Sequence, residues 1–344
     1  MKRYSETVLN GHPDKFCDLL ADCIVREVYR NDPEGYAQVE ASVWSHQLFL
    51  TGAIATRNRA AIDVRQLLVE LGETIGYTAT NHIDASRYQV HDHICRLNAD
   101  PLQWTRHCND QSIITGYAGY DGFTNWLPPE HYGAWYFRAA LVRALSPGSE
   151  LAGHGPDGKV LLVLDEDAQG FRLHTLLVTL QQHPSAGYLA FTEQVAVFLY
   201  AAYAQLAAKD PRWYAAWKDI RVLINPNGTF IRGGSDSDNG QTGRKLVMDY
   251  YGPRIPIGGV LYMASTSPTS TGWVPLPPGP MPWSWYRGAP PRPGYNCVML
   301  PVSTSRWMSA FAATGSCMTI PVPVFRWMRC DGRLRPECWH TRWM

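Results

Sequence analysis

An α+β architecture of repeated sheet-and-helix units is what this sequence predicts, and three observations carry the prediction. Residues 159–183, "KVLLVLDEDAQGFRLHTLLVTLQQH", place two segments rich in Val and Leu on either side of Gln169-Gly170, the pattern of a hairpin. The next segment, "FTEQVAVFLYAAYAQLAA" (191–208), has the length and composition of a helix. Residues 37–56 repeat the theme as a strand pair, with a turn near Ser45 or Gly52, and the helical segment "AAIDVRQLLVELGETIGY" follows. Strand pairs with helices behind them, used two or three times, predict repeats of architecture without repeats of sequence.

In chain order, residues 12–30 open the series as an amphipathic helix, because Phe16, Leu19, Leu20, Cys23, Ile24, Glu27 and Val28 fall at mixed three- and four-residue spacing. Pro13 sits where a helix needs no amide donor, and Asp14 suits the positive end of the helix dipole. Residues 128–158, which contain "LSPGSELAGHGPDG", read as a connection or hinge. A third unit is expected to begin at "RVLINPNGTFIRGG" (221–234), with a helix starting in "TGRKLVMDYYG". The corresponding division is 1–125 for an N-terminal domain discontinuous with later segments, 126–220 for a central domain and 221–344 for a C-terminal region.

Composition narrows the function classes. A formal net charge of +1 with 18% charged residues gives no bulk signature of a nucleic-acid binder or an acidic solvating chain. There is no 18-residue apolar run and no signal-peptide core after "MKRYSETVLNGHPDK", so no membrane or nucleic-acid partner is expected and the cytoplasm is the expected compartment. Eight cysteines without a CxxC spacing argue against a disulfide framework or a zinc ribbon. The last 85 residues differ from the rest. Residues 260–344 hold seven of the 13 Trp, thirteen of the 25 Pro and eight Arg, but no Lys and only two acidic residues, Asp331 and Glu337. That much proline interrupts helices and central strands alike.

Two clusters carry the chemistry. The run "SETVLNGHPDK" (5–15) places His12, Asp14 and Lys15 within four residues; it reads either as a capped helix start or as a site where Asp14 binds magnesium and His12 donates to a phosphoryl oxygen. The run "GGSDSDNGQTGRKLVMD" (233–249) offers Asp236, Asp238, Arg244 and Lys245, either as a solvated turn or as a phosphate clamp. Arg244 has the fork that phosphate favours, and Lys245 a compact charge. Asp157 and Lys159 in "GPDGK" are turn residues or, for the lysine, a further phosphate ligand. Asp110 and Gln111 in "NDQSIITGYAG" are a cap or polar ligand-binding tips. The histidines of "HDHICRLNADPLQWTRHC" have no spacing that fixes a transition-metal geometry. No GxxxxGK[ST] loop, GxGxxG, HExxH or GxSxG signature occurs. Dense loop chemistry of both signs, without a standard nucleotide fold, points to an enzyme acting on a nucleoside triphosphate.

Taken in order, "SETVLNGHPDK", "GAIAT", "NDQSIITGYA", "GPDGK", "INPNGTFIRGG" and "SDNGQTGRKLVMDYYG" resemble methionine adenosyltransferase (S-adenosylmethionine synthetase) over about residues 5–260. The resemblance implies three similar α+β domains in a pseudo-threefold arrangement, the third aberrant or incomplete here. It also implies a homodimer or dimer of dimers with sites between subunits. The implied reaction joins ATP and L-methionine, with water, into S-adenosylmethionine, phosphate and diphosphate, using Mg2+ and K+. By that resemblance His12 assists the triphosphate leaving group, Arg244 and Lys245 hold phosphates, and Asp157, Lys159, Phe230 and Asp238 face ATP. Gln103, Asp110 and Asp238 face methionine, Asp14 binds magnesium, and Glu40 falls at the potassium carboxylate.

Three departures stand out. The family's "GGEIT" glutamate is Ala53, its "GAGDQG" is "HCNDQS", and its "GGGAFSGKDPxKVDRS" run is replaced from Gly258 by "GGVLYMASTSPTSTGW". The genetic code permits an inference about the third. Codons for Met263–Pro275, read two bases onward, permit Gly, Lys, His or Tyr, Phe, a small residue, His or Asn, Ile, Asp, Arg, Val, Gly and Ala in that order. That approximates the missing "GKDxxxIDRxGA", and the expectation drawn from it is that the tract from about 260 is a shifted-frame translation of a third-domain region. Three other readings compete with the enzyme: a catalytically inactive homologue serving as partner subunit, a proline-rich interaction protein, and a different ATP-dependent ligase or kinase.

Overall fold

The computed structural model describes residues 1–57, 62–80, 83–105, 115–117, 119–257, 264–265 and 300–301. All of these residues fall within one compact body, Met1–Met308. The elements are β1 (Lys2–Val8), α1 (Pro13–Asn31), β2 (Tyr36–Trp44), β3 (Gln47–Thr56), α2 (Val64–Ile75), β4 (Gln89–Asn98), α3 (Leu102–Thr105) and β5 (Thr115–Gly116). After them come α4 (Pro129–Ala144), β6 (Gly158–Glu166), β7 (Phe171–Leu180), α5 (Tyr188–Lys209), β8 (Arg221–Ile224), β9 (Gly240–Gln241), α6 (Leu246–Asp249), β10 (Ala264–Ser265) and β11 (Leu300–Pro301).

The same plan is used twice. In the first unit α1 leads into the β2–β3 hairpin, and α2 then returns the chain so that β4 runs parallel to β3, from Gln47 opposite Gln89 to Thr56 opposite Asn98. In the second, α4 leads into the β6–β7 hairpin, and α5 returns the chain so that β8 runs parallel to β7. A parallel neighbour requires a crossover long enough to traverse the sheet, which is why a helix separates each hairpin from its last strand. The sheets have the orders β10-β2-β3-β4, with β9 also on β2, and β1-β6-β7-β8.

Each unit has its own core. Phe16, Leu20, Ile24 and Val28, one face of α1, pack with Val39, Ala41, Val43, Leu48 and Leu50 of the hairpin and Leu68 and Leu71 of α2. Phe137 and Leu141 of α4 pack with Val160, Leu162, Leu176 and Val178 and with Val195, Leu199 and Leu206 of α5. The alternating burial of β2, inward at Ala37, Val39, Ala41 and Val43, follows from the two-residue period of a strand covered on one face.

Several expectations shift. The first hairpin turns at Ser45, whose φ is 48°. Gly52 lies instead inside β3 at φ 127°, where an added Cβ would stand 2.0 Å from the Gln38 carbonyl oxygen, so only glycine fits. The stretch 128–158 is only half a connection. Its first part is the helix α4, because Pro129 sits at the first turn and Phe137, Ala140, Leu141 and Ala144 supply a buried stripe. The strand expected to open a third unit, in 221–234, is β8, which completes the second sheet because four residues, Arg221–Ile224, find the free edge of β7.

Two pairings bring distant segments to the start of α1. Strand β1 is antiparallel to β6, from Lys2 opposite Asp165 to Val8 opposite Lys159, so the turn leading to His12 begins beside Lys159. Strand β9 is antiparallel to β2, with Val43 opposite Gly240 and Ser42 opposite Gln241, which lays the 240–249 segment against α1. Contact there is close: a Cβ on Gly240 would lie 2.3 Å from the Pro13 backbone.

Candidate functional site

The turn from Leu9 to Pro13 is fixed before any ligand arrives. The amides of Leu9 and Gly11 donate to the carbonyls of Gly158 (2.9 Å) and Pro156 (3.2 Å). The buried Tyr77 hydroxyl donates to the Gly11 carbonyl at 2.6 Å, and the Arg138 guanidinium donates to the Val8 carbonyl and the Asn10 side chain, both at 2.6 Å. Held this way, His12 caps α1: its Nδ1 accepts from the Asp14 amide at 3.2 Å.

That hydrogen bond defines the imidazole. Burial, followed by the Lys159 and Lys245 ammonium charges, drives the His12 pKa down to about 3. The ring is therefore neutral, with Nδ1 accepting and Nε2 left to carry the proton. A neutral donor suits an oxyanion whose charge grows during a reaction. The His12 ring resonances are expected to stay constant between pH 5 and 8 in an NMR titration of the ligand-free chain, and an inflection near the ordinary histidine value would contradict the assignment.

Asp14 is the centre of the cluster. Buried at 1% exposure, it accepts from the Gln241 amide at 3.0 Å and from the Lys245 ammonium at 2.6 Å, with the Arg244 guanidinium at 3.3 Å. Arg244, 43% exposed at its side chain, also donates to Asn239 at 3.0 Å. Two cations thus meet one carboxylate at the amino end of a nineteen-residue helix. The group has an excess of positive charge in a place where the helix itself favours an anion. Lys159 adds to it: exposed beside the turn, its ammonium has no hydrogen-bond or ion-pair partner among the described residues.

Asp157 lies on the opposite side of the turn, buried, where its carboxylate accepts from the Gly234 amide at 2.7 Å. Burial raises its pKa to about 6 against the pull of that amide and of Lys159. Gly234 has φ 61° and stands against Tyr77 and Ile83, and its carbonyl accepts from the Asp238 amide at 3.2 Å, so Asp157 organises the loop carrying Asp238. Asp238 is exposed. Phe230 is half-buried, its carbonyl accepting from the Gln182 amide at 2.8 Å.

Glu40 projects from β2 beneath β9. Its Oε2 accepts from the Thr242 hydroxyl, its Oε1 is buried without a hydrogen-bond partner, and burial raises its pKa. A buried carboxylate oxygen with nothing donating to it fits a monovalent cation. Asp14 fits magnesium as one hard oxygen donor, in the manner of sites that take their other ligands from water and substrate phosphates. Among the described residues no group of three or more His, Cys, Asp or Glu side chains forms a closed metal cage. Gln103 is exposed on α3, its amide bonded locally to the Asp100 carbonyl at 3.2 Å. Asp110 lies outside the described residues, as does the run that starts at Gly258 apart from Ala264–Ser265.

The structure therefore gathers His12, Asp14, Lys159, Arg244 and Lys245 in one cluster, with Asp157 and Asp238 on an adjoining loop and Glu40 beneath. Sequence reasoning missed Asp18 and Asp249, which bind Lys15, and Tyr77 and Arg138, which hold the turn. The four-residue spacing of Asp14 and Asp18 on a helix was the available signal for the first; nothing in sequence marks the others.

Residues 2–98 match the S-adenosylmethionine synthetase N-terminal domain family. S-adenosylmethionine synthases resemble this chain well beyond that segment. The one from Bifidobacterium adolescentis is 27% identical over 277 residues, covering 74% of this chain and 67% of the relative. Those from Mesoplasma florum, 27% identical over 269 residues, and Trichormus variabilis, 30% identical over 288, cover 74% of this chain and 67% and 65% of their own lengths. The chain thus spans about two thirds of the length of the curated relatives it matches, and the family likeness supports a transferase of the S-adenosylmethionine-synthesis type. No described helix is long and apolar enough to cross a membrane.

Proposed function

We propose that the cluster at the start of α1 binds the triphosphate of ATP, and that the chain is built for methionine adenosyltransfer: ATP, L-methionine and water to S-adenosylmethionine, phosphate and diphosphate. One observation carries the proposal. Arg244 and Lys245, from a segment more than 200 residues away, converge on Asp14 beside a neutral histidine and the unpartnered Lys159. A triphosphate needs several cations around one face and a donor at its bridging oxygen, and this arrangement offers both.

The chemistry follows from the nucleophile. Methionine sulfur is uncharged and needs no base, so the chain's task is to align it with ribose C5′ and to stabilise the departing triphosphate. Lys159, Arg244 and Lys245 neutralise phosphate oxygens, and His12 donates through Nε2 to the oxygen leaving C5′. Asp157 holds the loop that presents Asp238 to ATP and methionine, with Phe230 flanking the nucleotide. Gln103 and Asp110 belong to the methionine side. Magnesium on Asp14 supplies further charge neutralisation to the phosphates, and potassium at Glu40 satisfies the orphaned carboxylate oxygen. Sites of this kind are completed between subunits, so a homodimer or dimer of dimers in the cytoplasm is part of the proposal. So is the three-domain plan, with divisions near 125 and 220 and β8 assigned to the central sheet.

A second reading has its own observation. The run expected from Gly258, which would supply another lysine and a metal-binding aspartate, is absent from the sequence as written. A chain lacking them would serve as an inactive partner subunit that binds nucleotide. The test is methionine-dependent formation of S-adenosylmethionine by the purified chain with ATP, Mg2+ and K+. Product establishes the transferase. A folded sample that binds nucleotide, forms no product and raises the output of an active relative on mixing establishes the partner subunit. No nucleotide binding rules out both.

A further inference from the structure

Immediately behind the Asp14 cluster is a second ionic group, of opposite polarity, for which the proposed reaction has no use. Lys15 is buried at 2% exposure, and its ammonium meets both carboxylate oxygens of Asp249 at 2.6 Å and Asp18 Oδ2 at 3.0 Å. Asp18, fully buried, uses its other oxygen to accept from the Gly243 amide at 3.0 Å. Gly243, with φ 74°, is the residue before Arg244, and Asp249 is the last residue of α6, whose amide donates back to the Lys245 carbonyl at 3.0 Å. The two carboxylates therefore hold the two ends of the segment 243–249, and one buried lysine of α1 joins them.

We propose that Asp18 and Asp249 are positioning residues: through the Gly243 amide and Lys15 they fix the backbone that presents Arg244 and Lys245 to phosphate. The alternation of side chains along the first turn of α1 makes this possible. Asp14 faces the two phosphate-binding cations, Lys15 turns inward, and Asp18 lies one turn below Asp14 on the neighbouring line. Without this anchor, the backbone is still tied at Thr242, whose amide donates to the Ala41 carbonyl at 3.0 Å and whose hydroxyl donates to Glu40, and at Met248, whose carbonyl accepts from the Trp135 indole at 3.1 Å. But the Gly243 amide loses its acceptor, Lys15 loses its link to the segment, and the two cationic side chains between those points lose their common direction. The inference rests on the triphosphate reading of the Asp14 cluster.

The test is calorimetric titration of the full chain with inorganic tripolyphosphate plus magnesium, alongside circular dichroism and thermal melting. Asp18→Ala is expected to weaken binding about tenfold, the effect of losing a hydrogen bond to a charged acceptor. Asp18→Asn, whose side-chain oxygen still accepts from Gly243, is expected to recover most of that loss even if its melting temperature stays low. Asp249→Ala, at the more exposed end, is expected to weaken binding severalfold, and keeps the test available if Asp18→Ala does not fold. Folded variants that bind as tightly as the unmodified chain, or an Asn variant no better than Ala, would overturn the positioning role alone. An unmodified chain that does not bind tripolyphosphate would overturn the triphosphate reading and this inference with it.

Discussion

Replacing Lys245 with Met is expected to weaken magnesium-tripolyphosphate binding by about ten- to a hundredfold. Two losses add. The phosphate gives up a charge-assisted hydrogen bond, a contact that contributes roughly 1.5–3 kcal/mol. In addition, Asp14, nearly inaccessible to solvent, is left with Arg244 and the Gln241 amide as its remaining partners, so its charge is less well compensated where an anion must approach. Asp14→Asn separates these contributions by sign. Without magnesium it frees Lys245 and Arg244 from their carboxylate, and tripolyphosphate binds more tightly than to the unmodified chain. With magnesium it removes a metal ligand, and binding weakens. A variant that moved both conditions in the same direction would show that Asp14 does not stand between the cations and the phosphate.

The second large effect is expected from the gene. If the tract from about residue 260 is a shifted-frame translation, one compensating change in the codons for 255–275 restores a run of the form "GKDxxxIDRxGA" and the lysine and aspartate that go with it. The restored chain is expected to form S-adenosylmethionine at a rate at least a hundredfold above the chain as written, because a lost cation and a lost metal ligand each cost several kcal/mol at a developing triphosphate charge. The composition already favours this outcome. Eight arginines, no lysine and two acidic residues in 85 positions give a tract few charge partners of its own. A restored frame that yields no family-like run, or a restored chain no more active than the original, would remove the argument.

Much of the first two units was legible because their period is local. The two apolar segments of 159–183 around Gln169-Gly170 and the spacing of Phe16, Leu20, Ile24 and Val28 need nothing beyond a turn between strands or a helix with one covered face. What could not be read is what depends on pairing across distance. Strand β8 has four residues and looks like the start of something new until β7 is seen to have a free edge. Helix α4 was hidden by its neighbours, since the Gly, Ser and Pro of 146–158 gave the whole stretch the composition of a loop.

The site divides along the same line. His12, Asp14, Arg244 and Lys245 were visible as residue types suited to phosphate and metal, but only the β9 pairing with β2 shows that they share one place. Tyr77 and Arg138 were invisible, because a tyrosine and an arginine become supports of a turn only when its carbonyls are known to point at them. Lys15 read as part of the reactive group and is instead buried behind it, a consequence of the hundred-degree step between successive helical residues.

The central claim is that the amino end of α1, with Lys159, Arg244 and Lys245, is a triphosphate site. The most direct measurement is calorimetric titration of the unmodified chain with tripolyphosphate, with and without magnesium. The account predicts saturable binding at one site per chain, tighter with magnesium and weakened by salt. Absence of binding by a folded chain, or affinity unaffected by both magnesium and Lys245→Met, would contradict it.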